Sequence, residues 1–124
     1  MRKAQEIVAE FDRKRWKKDP AYLKDFLLNM VEETGEVWNI IKWVDQKTQK
    51  KLIEEHKDEF KDFVGDELFL ILKIAYLLDI DAQEAFEATM EDYEIRFPVE
   101  KIRKLKHGNP LAGGVDDKQK TEHR

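Results

Sequence analysis

Two groups of acidic residues lie inside apolar stretches of the chain. The first is Glu32, Glu33 and Glu36, within LLNMVEETGEVWNIIKW, and the second is Asp62 with Asp66 and Glu67, at the head of DFVGDELFLILKIAYLL. A carboxylate is rarely buried without a partner, because removing its charge from water is costly. Several carboxylates that face each other need a cation, and an all-oxygen cage suits Mg²⁺ or Mn²⁺. The pattern therefore predicts a divalent-metal site.

The first acid group occupies one side of a helix. At about 100° per residue, Glu32 and Glu36 lie within about 40° of each other, and Glu33 lies about 60° from Glu36. The same stripe continues to Asn39 and then to Trp43. These two residues are therefore candidates for contacts with a bound molecule.

The second acid group belongs to the next long apolar helix. Glu59, Asp62, Asp66 and Lys73 fall within a band of about 60° on it. Antiparallel packing of the two helices would bring both acid groups to one cleft, with Lys73 further along. The alternative is that the acids lie on solvated helix faces, which is the simpler explanation for Glu59, and that Lys73 only pairs with an acid or extends to solvent.

Composition excludes several functional classes. The chain has 124 residues with 27 acids against 23 bases, so its net charge of −4 gives no basic surface for a nucleic acid polymer. It has no cysteine, which rules out thiolate zinc sites and a cysteine nucleophile. The longest apolar stretch, Leu68 to Leu78, is interrupted by Lys73 and is too short to span a membrane. We expect a cytoplasmic protein.

Apolar residues recur with helical spacing, and no stretch alternates as a strand does, so the predicted fold class is all-α. Asp19-Pro20 is a strong start signal for the second helix. The polar stretch that begins at Gln46 fits a loop, a helical extension or both. Helices are predicted over 4–17, 20–45, 56–78 and 81–97, followed by a short amphipathic piece. Residues 1–106 are expected to form one domain and 107–124 a flexible polar tail.

Two helices carry features that bear on packing. The first helix is expected to bury Ala4, Ile7, Val8 and Phe11, which share one face. In the second helix, Gly35 costs about 1 kcal/mol relative to alanine, which suggests a close approach by another helix.

The two acid groups resemble the motifs of the MazG-like family of all-α nucleotide pyrophosphohydrolases. That family carries E-E-x-x-E on one helix and E-x-x-D on the next. The first motif is matched in full by Glu32, Glu33 and Glu36. Asp66 is similar to the aspartate of the second motif through its context, a preceding glycine and a following apolar run that ends in Leu-Leu-Asp-Ile-Asp. The resemblance covers roughly residues 16–98.

One position departs from the family pattern. The second-motif glutamate is expected three residues before Asp66, where this chain has Phe63. Asp62 is one residue away and has a shorter reach. Alternatively, Glu59 and Asp62 themselves form an E-x-x-D, which would take the place of Asp66. We favour Asp66 because its sequence context fits better than spacing alone.

The resemblance implies a fold, a reaction and a set of site residues. It implies a four-helix bundle completed by assembly into homodimers or homotetramers, and Mg²⁺-dependent (or Mn²⁺-dependent) hydrolysis of nucleoside and deoxynucleoside triphosphates to monophosphate and pyrophosphate. Glu33 would accept a proton from water. Lys73, or the basic residues from Lys101 to Lys106, would neutralise the outer phosphates. The metal ligands would be Glu32, Glu33, Glu36, Asp62 and Asp66, with substrate contacts from Asn39, Trp43, Lys73 and Arg96.

Other functions are compatible with the same residues. Phe63 allows a MazG-like fold that binds nucleotide or metal without turnover. A plain helical interaction domain with solvated acids is a further alternative. A ferritin-like di-iron bundle is disfavoured, because none of the three histidines has a glutamate three residues before it.

Overall fold

Side-chain caps set where two helical segments begin. The Asp19 carboxylate accepts a hydrogen bond of 2.9 Å from the Ala21 N–H, and Pro20 occupies the first position of the 3-10 turn that follows. Asp45 accepts a bond of 2.7 Å from the Thr48 N–H, so the polar stretch after it forms a separate helix. The predicted start signal at Asp19 is therefore confirmed, and the polar stretch is a helix with its own cap.

The computed structural model describes residues 1–105. Over that range the chain forms helices and no strand, which confirms the all-α prediction. The helices are α1 (Arg2–Arg13), α2 (Leu23–Ile41), α3 (Gln46–Glu55), α4 (Lys57–Leu77), α5 (Ala82–Arg96) and α6 (Val99–Arg103), with a 3-10 turn at Pro20–Tyr22. The tail expected at 107–124, and the domain end expected at residue 106, lie outside the described residues. None of the helices described could cross a membrane.

The chain divides into two compact units, one of Met1–Ala82 and one that begins at Gln83. In the first unit, α1 and α2 both pack against α4. Its buried apolar side chains are Val8, Leu70, Leu72, Ala75 and Leu77. The second half of α4 is therefore the centre of the first unit.

Both α1 and α2 run antiparallel to α4. On α2, the early residue Phe26 lies against Lys73, late in α4, while Ile40 shares a cavity with Glu59. On α1, the Phe11 ring meets the Phe69 ring edge to face, with centroids 5.7 Å apart. The antiparallel arrangement expected for the two acid-bearing helices is thus present.

The buried face of α1 differs from the expected one. Val8 and Asp12 are its buried residues, whereas Ile7 is 62% exposed and Phe11 is partly exposed. Asp12 follows Val8 by four residues and so lies on the same side of the helix. The carboxylate of Asp12 can be buried on this face because its charge is paired with the ammonium of Lys73 on α4.

Gln5 joins the start of α1 to the turn after α4. Its side-chain amide donates to the carbonyl of Ile80 at 2.7 Å and accepts from the Ala82 N–H at 2.8 Å. In the same turn, Asp79 has a left-handed backbone with φ of 55°, and its carboxylate pairs with Lys18. The first and last parts of this unit are therefore held together by polar contacts as well as by the core.

In the second unit, aromatic and ionic contacts lie at the end of α5. The Tyr93 and Phe97 rings meet edge to face at 5.4 Å. Arg96 pairs with Asp92 at 3.3 Å and lies over the Phe97 ring. On the same helix Phe86 and Met90 are exposed.

Candidate functional site

A cavity of about 250 Å³ between α2 and α4 is lined by carboxylates from both helices. Apolar side chains complete its wall. Its acids are Glu33 and Glu36 of α2 with Glu59, Asp62 and Asp66 of α4, and its apolar residues are Val37, Ile40 and Phe63. The two acid groups identified in the sequence therefore meet in one place, which we call the acid cavity.

The inward face of α2 explains which glutamates reach the acid cavity. Half-buried residues recur every three or four positions along this face, at Phe26, Met30, Glu33, Val37 and Ile40. Glu33 thus occupies a position that is otherwise apolar. Glu32 precedes it by about 100° of helix rotation and is not among the residues that line the cavity. The pair that α2 supplies is therefore Glu33 and Glu36, and Glu32 is the predicted ligand of α2 that does not line the cavity.

On α4, both alternatives for the second motif face the same cavity. Glu59, Asp62 and Asp66 are spaced by three and four residues, which places them on one side of the helix. Glu59 is also 2.8 Å from Nδ1 of His56, at the bend between α3 and α4. The choice between Glu59 and Asp66 is therefore unnecessary, because both line the cavity. Phe63 contributes an apolar wall where the family pattern has a glutamate.

Among the acids that line the acid cavity, Glu33 is the one whose pKa is clearly shifted. Desolvation raises the pKa of Glu33, and the negative charges of Glu36, Asp66 and Glu67 raise it further. A hydrogen bond with Asp66 contributes in the same direction. None of the residues lining the cavity is basic. The site therefore favours a proton or a cation.

The donor types in the acid cavity suit a hard divalent cation. All of its polar side chains offer carboxylate oxygens, which are the ligands that Mg²⁺ and Mn²⁺ take in proteins. Within residues 1–105, however, no group of three or more acidic, histidine or cysteine side chains is already gathered closely enough to hold a metal ion. The donor chemistry fits, and binding would require the side chains to converge.

The remaining residues predicted from sequence lie elsewhere. Lys73 is buried beside Asp12 and lines a different cavity. Asn39 is exposed on α2, and Trp43 is 84% exposed beyond the end of that helix. Because α2 and α4 are antiparallel, Lys73 and this pair lie toward opposite ends of the helix pair. Arg96 belongs to the second unit.

The second cavity was not anticipated from the sequence. It has a volume of about 400 Å³ and is lined by Asp12, Trp16, Lys17, Tyr22, Phe26, Lys73 and Leu77. A signal for it does exist, because Val8, Asp12 and Trp16 follow one another at four-residue spacing, on one side of α1 and of the residues just after it. We call it the aromatic cavity.

Comparison with protein-family models, with curated proteins and with solved structures gave no match.

Proposed function

We propose that this protein hydrolyses nucleoside or deoxynucleoside triphosphates to monophosphate and pyrophosphate, with Mg²⁺ or Mn²⁺ as cofactor. The observation that carries the proposal is the acid cavity, where carboxylates from α2 and α4 face each other with no basic residue between them. The E-E-x-x-E pattern of the first acid group adds the resemblance to MazG-like enzymes.

The acids divide into metal ligands and a proton acceptor. Glu36, Asp62 and Asp66 are the proposed ligands, with Glu59 available beside them. When bound, Mg²⁺ supplies the positive charge that a triphosphate needs in this cavity and makes water more acidic. Glu32 is the weakest candidate of the five predicted ligands, because it is the one that does not line the acid cavity.

Glu33 is the proposed general base. The raised pKa of its carboxyl makes the carboxylate a stronger proton acceptor than an ordinary glutamate. As Glu33 takes a proton from water, the water oxygen forms a bond to the α-phosphorus. The bond from that phosphorus to the oxygen bridging the α- and β-phosphates breaks, and pyrophosphate leaves with the electron pair. The monophosphate remains as the second product.

We also propose that the helical bundle is completed by assembly of two or four copies. The outward side of α2 carries Leu28, Val31 and Trp38, and Val31 is 67% exposed. In the second unit, Phe86 and Met90 of α5 are exposed as well. Apolar surface of this kind is typical of a protein–protein interface, and a homodimer or homotetramer would remove it from water.

Product analysis tests the reaction directly. The protein is incubated with a panel of nucleoside and deoxynucleoside triphosphates with Mg²⁺ or Mn²⁺, alongside Glu36→Gln, which keeps the shape of the side chain and removes its charge. Pyrophosphate with monophosphate, absent in the variant, is the expected result. Orthophosphate as the first product would mean attack at a different phosphorus and would refute the mechanism.

A second candidate is a nucleotide- or metal-binding module without turnover. Phe63 favours it, because an aromatic ring lines the acid cavity where the family pattern has a glutamate. This candidate predicts metal-dependent thermal stabilisation and no product from any triphosphate. If metal gives no stabilisation either, the protein is better described as a helical interaction domain.

A further inference from the structure

The aromatic cavity is lined by a buried ion pair that makes no further side-chain hydrogen bond among the described residues. The side chains of Asp12 and Lys73 are only 6% and 10% exposed. Lys73 Nζ lies 3.5 Å from Asp12 Oδ2, which is an ion pair longer than a normal hydrogen bond. Among residues 1–105, no hydrogen bond reaches the carboxylate of Asp12 or the ammonium of Lys73. Buried polar groups are normally satisfied, so a bound molecule is a natural partner for this pair.

Aromatic rings from three segments surround the pair. Trp16 follows α1, Tyr22 lies in the 3-10 turn and Phe26 lies on α2. The Lys73 ammonium is 3.9 Å from the centroid of the Trp16 ring and 4.4 Å from that of Phe26, which are cation–π contacts. The cavity therefore offers flat apolar walls around one hydrogen-bond acceptor and one donor. Such walls favour a planar ring.

The charges of the pair restrict the ligand further. A cationic ligand would be repelled by Lys73 and an anionic one by Asp12, and this repulsion is strong where water is excluded. A neutral ligand with an N–H donor beside an acceptor atom complements both groups at once. A purely apolar ring would fill the space and leave both groups unsatisfied.

We infer that the aromatic cavity binds a nucleobase, the class of neutral planar heterocycle with adjacent donor and acceptor atoms. The choice of a nucleobase over other such heterocycles rests on the proposed function. Phe26 precedes Glu33 by seven residues on α2, and Lys73 follows Asp66 by seven on α4, so the two cavities are offset by about 10 Å along the helix pair. A sugar and its first phosphates extend over a distance of that order. Asp12 and Lys73 then select the base, and the acid cavity takes the phosphates.

The test uses free nucleosides, because they lack the phosphates that the acid cavity would bind. Adenosine, cytidine, guanosine and uridine are titrated into the full chain with EDTA present, and binding is followed by calorimetry. The expected result is binding of at least one nucleoside. In Asp12→Leu/Lys73→Met, which replaces the ion pair by apolar groups without leaving a buried charge alone, binding should weaken about tenfold or more.

Two single substitutions give an independent readout. Trp16→Ala removes one wall of the cavity at a half-exposed position and should weaken nucleoside binding about fivefold or more. Ile7→Ala, at an exposed position of α1 that does not line the cavity, should leave nucleoside binding unchanged. These two variants decide the matter even if the double variant does not fold.

Nucleoside binding and triphosphate hydrolysis are measured separately, so each can be refuted without the other. Absence of nucleoside binding by the natural chain, or equal binding by the natural chain and Trp16→Ala, overturns the inference even if triphosphates are hydrolysed. Nucleoside binding lost in Trp16→Ala, without any triphosphate turnover, supports the inference and leaves the proposed reaction without support.

Discussion

At the scale of single residues, Glu33 is the acid whose surroundings are most unusual. It occupies an inward position on α2, and desolvation with nearby negative charge raises its pKa above the value it has in the unfolded chain. Protonation of Glu33 therefore favours the folded state. This contribution to stability is fully present below the unfolded pKa and is lost as the pH rises through the folded pKa.

Glu33→Gln should consequently raise the melting temperature at neutral pH, because it removes a charge that the folded chain disfavours. The advantage over the natural chain should shrink on acidification and disappear below about pH 4, where an ordinary glutamate is itself protonated. Melting curves of both chains between neutral and acidic pH measure this in the absence of metal. An advantage that does not change with pH would contradict the assignment of a raised pKa.

Two neighbouring glutamates on α2 give a matched test for the metal. Glu36 lines the acid cavity, whereas Glu32 does not. A ligand that binds only the folded state stabilises it by about 2.7 kcal/mol at a hundredfold excess over its dissociation constant. We expect Mn²⁺ or Mg²⁺ to raise the melting temperature of the natural chain and of Glu32→Gln, with the increase largely lost in Glu36→Gln. Equal loss in both variants would place Glu32 among the ligands.

At the scale of helices, local sequence signals predicted much of what is present. The start signal at Asp19, the antiparallel acid-bearing helices and the meeting of the two acid groups all follow from spacing and capping chemistry. The separate helix α3 was left open, because its residues are polar and its only strong signal is the cap at Asp45. The choice between Glu32 and Glu33 depends on the direction from which α4 approaches α2, which periodicity along one helix does not contain.

The aromatic cavity shows a further limit of sequence reasoning. Asp12 and Lys73 each look like a solvated charge when taken alone. Only the packing of α1 against α4 places them together, from positions far apart in the sequence. The same packing places Lys73 in the aromatic cavity and not in the acid cavity, where it had been expected to contact phosphates.

Substitution of Gly35 tests whether a second copy packs against the outward side of α2. A Cβ atom at this position would meet nothing within 4 Å in the described chain, so the close approach suggested by the sequence is not made by another part of that chain. In an uncovered helix interior, Gly35→Ala should stabilise the fold by about 0.5–1 kcal/mol. Urea denaturation of both chains measures the difference. A loss of stability instead would indicate that a second copy packs closely over this position.

At the scale of the whole molecule, exposed apolar side chains predict self-association. Val31 and Trp38 lie on the outward side of α2, away from the half-buried residues that face α4. Sedimentation analysis of the natural chain should give the mass of a dimer or a tetramer. Val31→Glu places a charge within this surface and should shift the population to monomer, since burying an unpaired charge is costly. Lys24→Glu, an exposed substitution on the same helix, is the control and should leave the mass unchanged.

The link between Gln5 and the turn at Ile80 has a consequence for the order of events on the ribosome. These partners are 75 residues apart, so at about 5–20 residues per second α1 is made about 4–15 s before the turn that it holds. Over that interval Val8, Phe11 and Asp12 have no α4 to pack against, and α2 is made while α4 is still missing. The first unit can close only when translation has passed residue 80, which makes the nascent chain a natural client for chaperones until then.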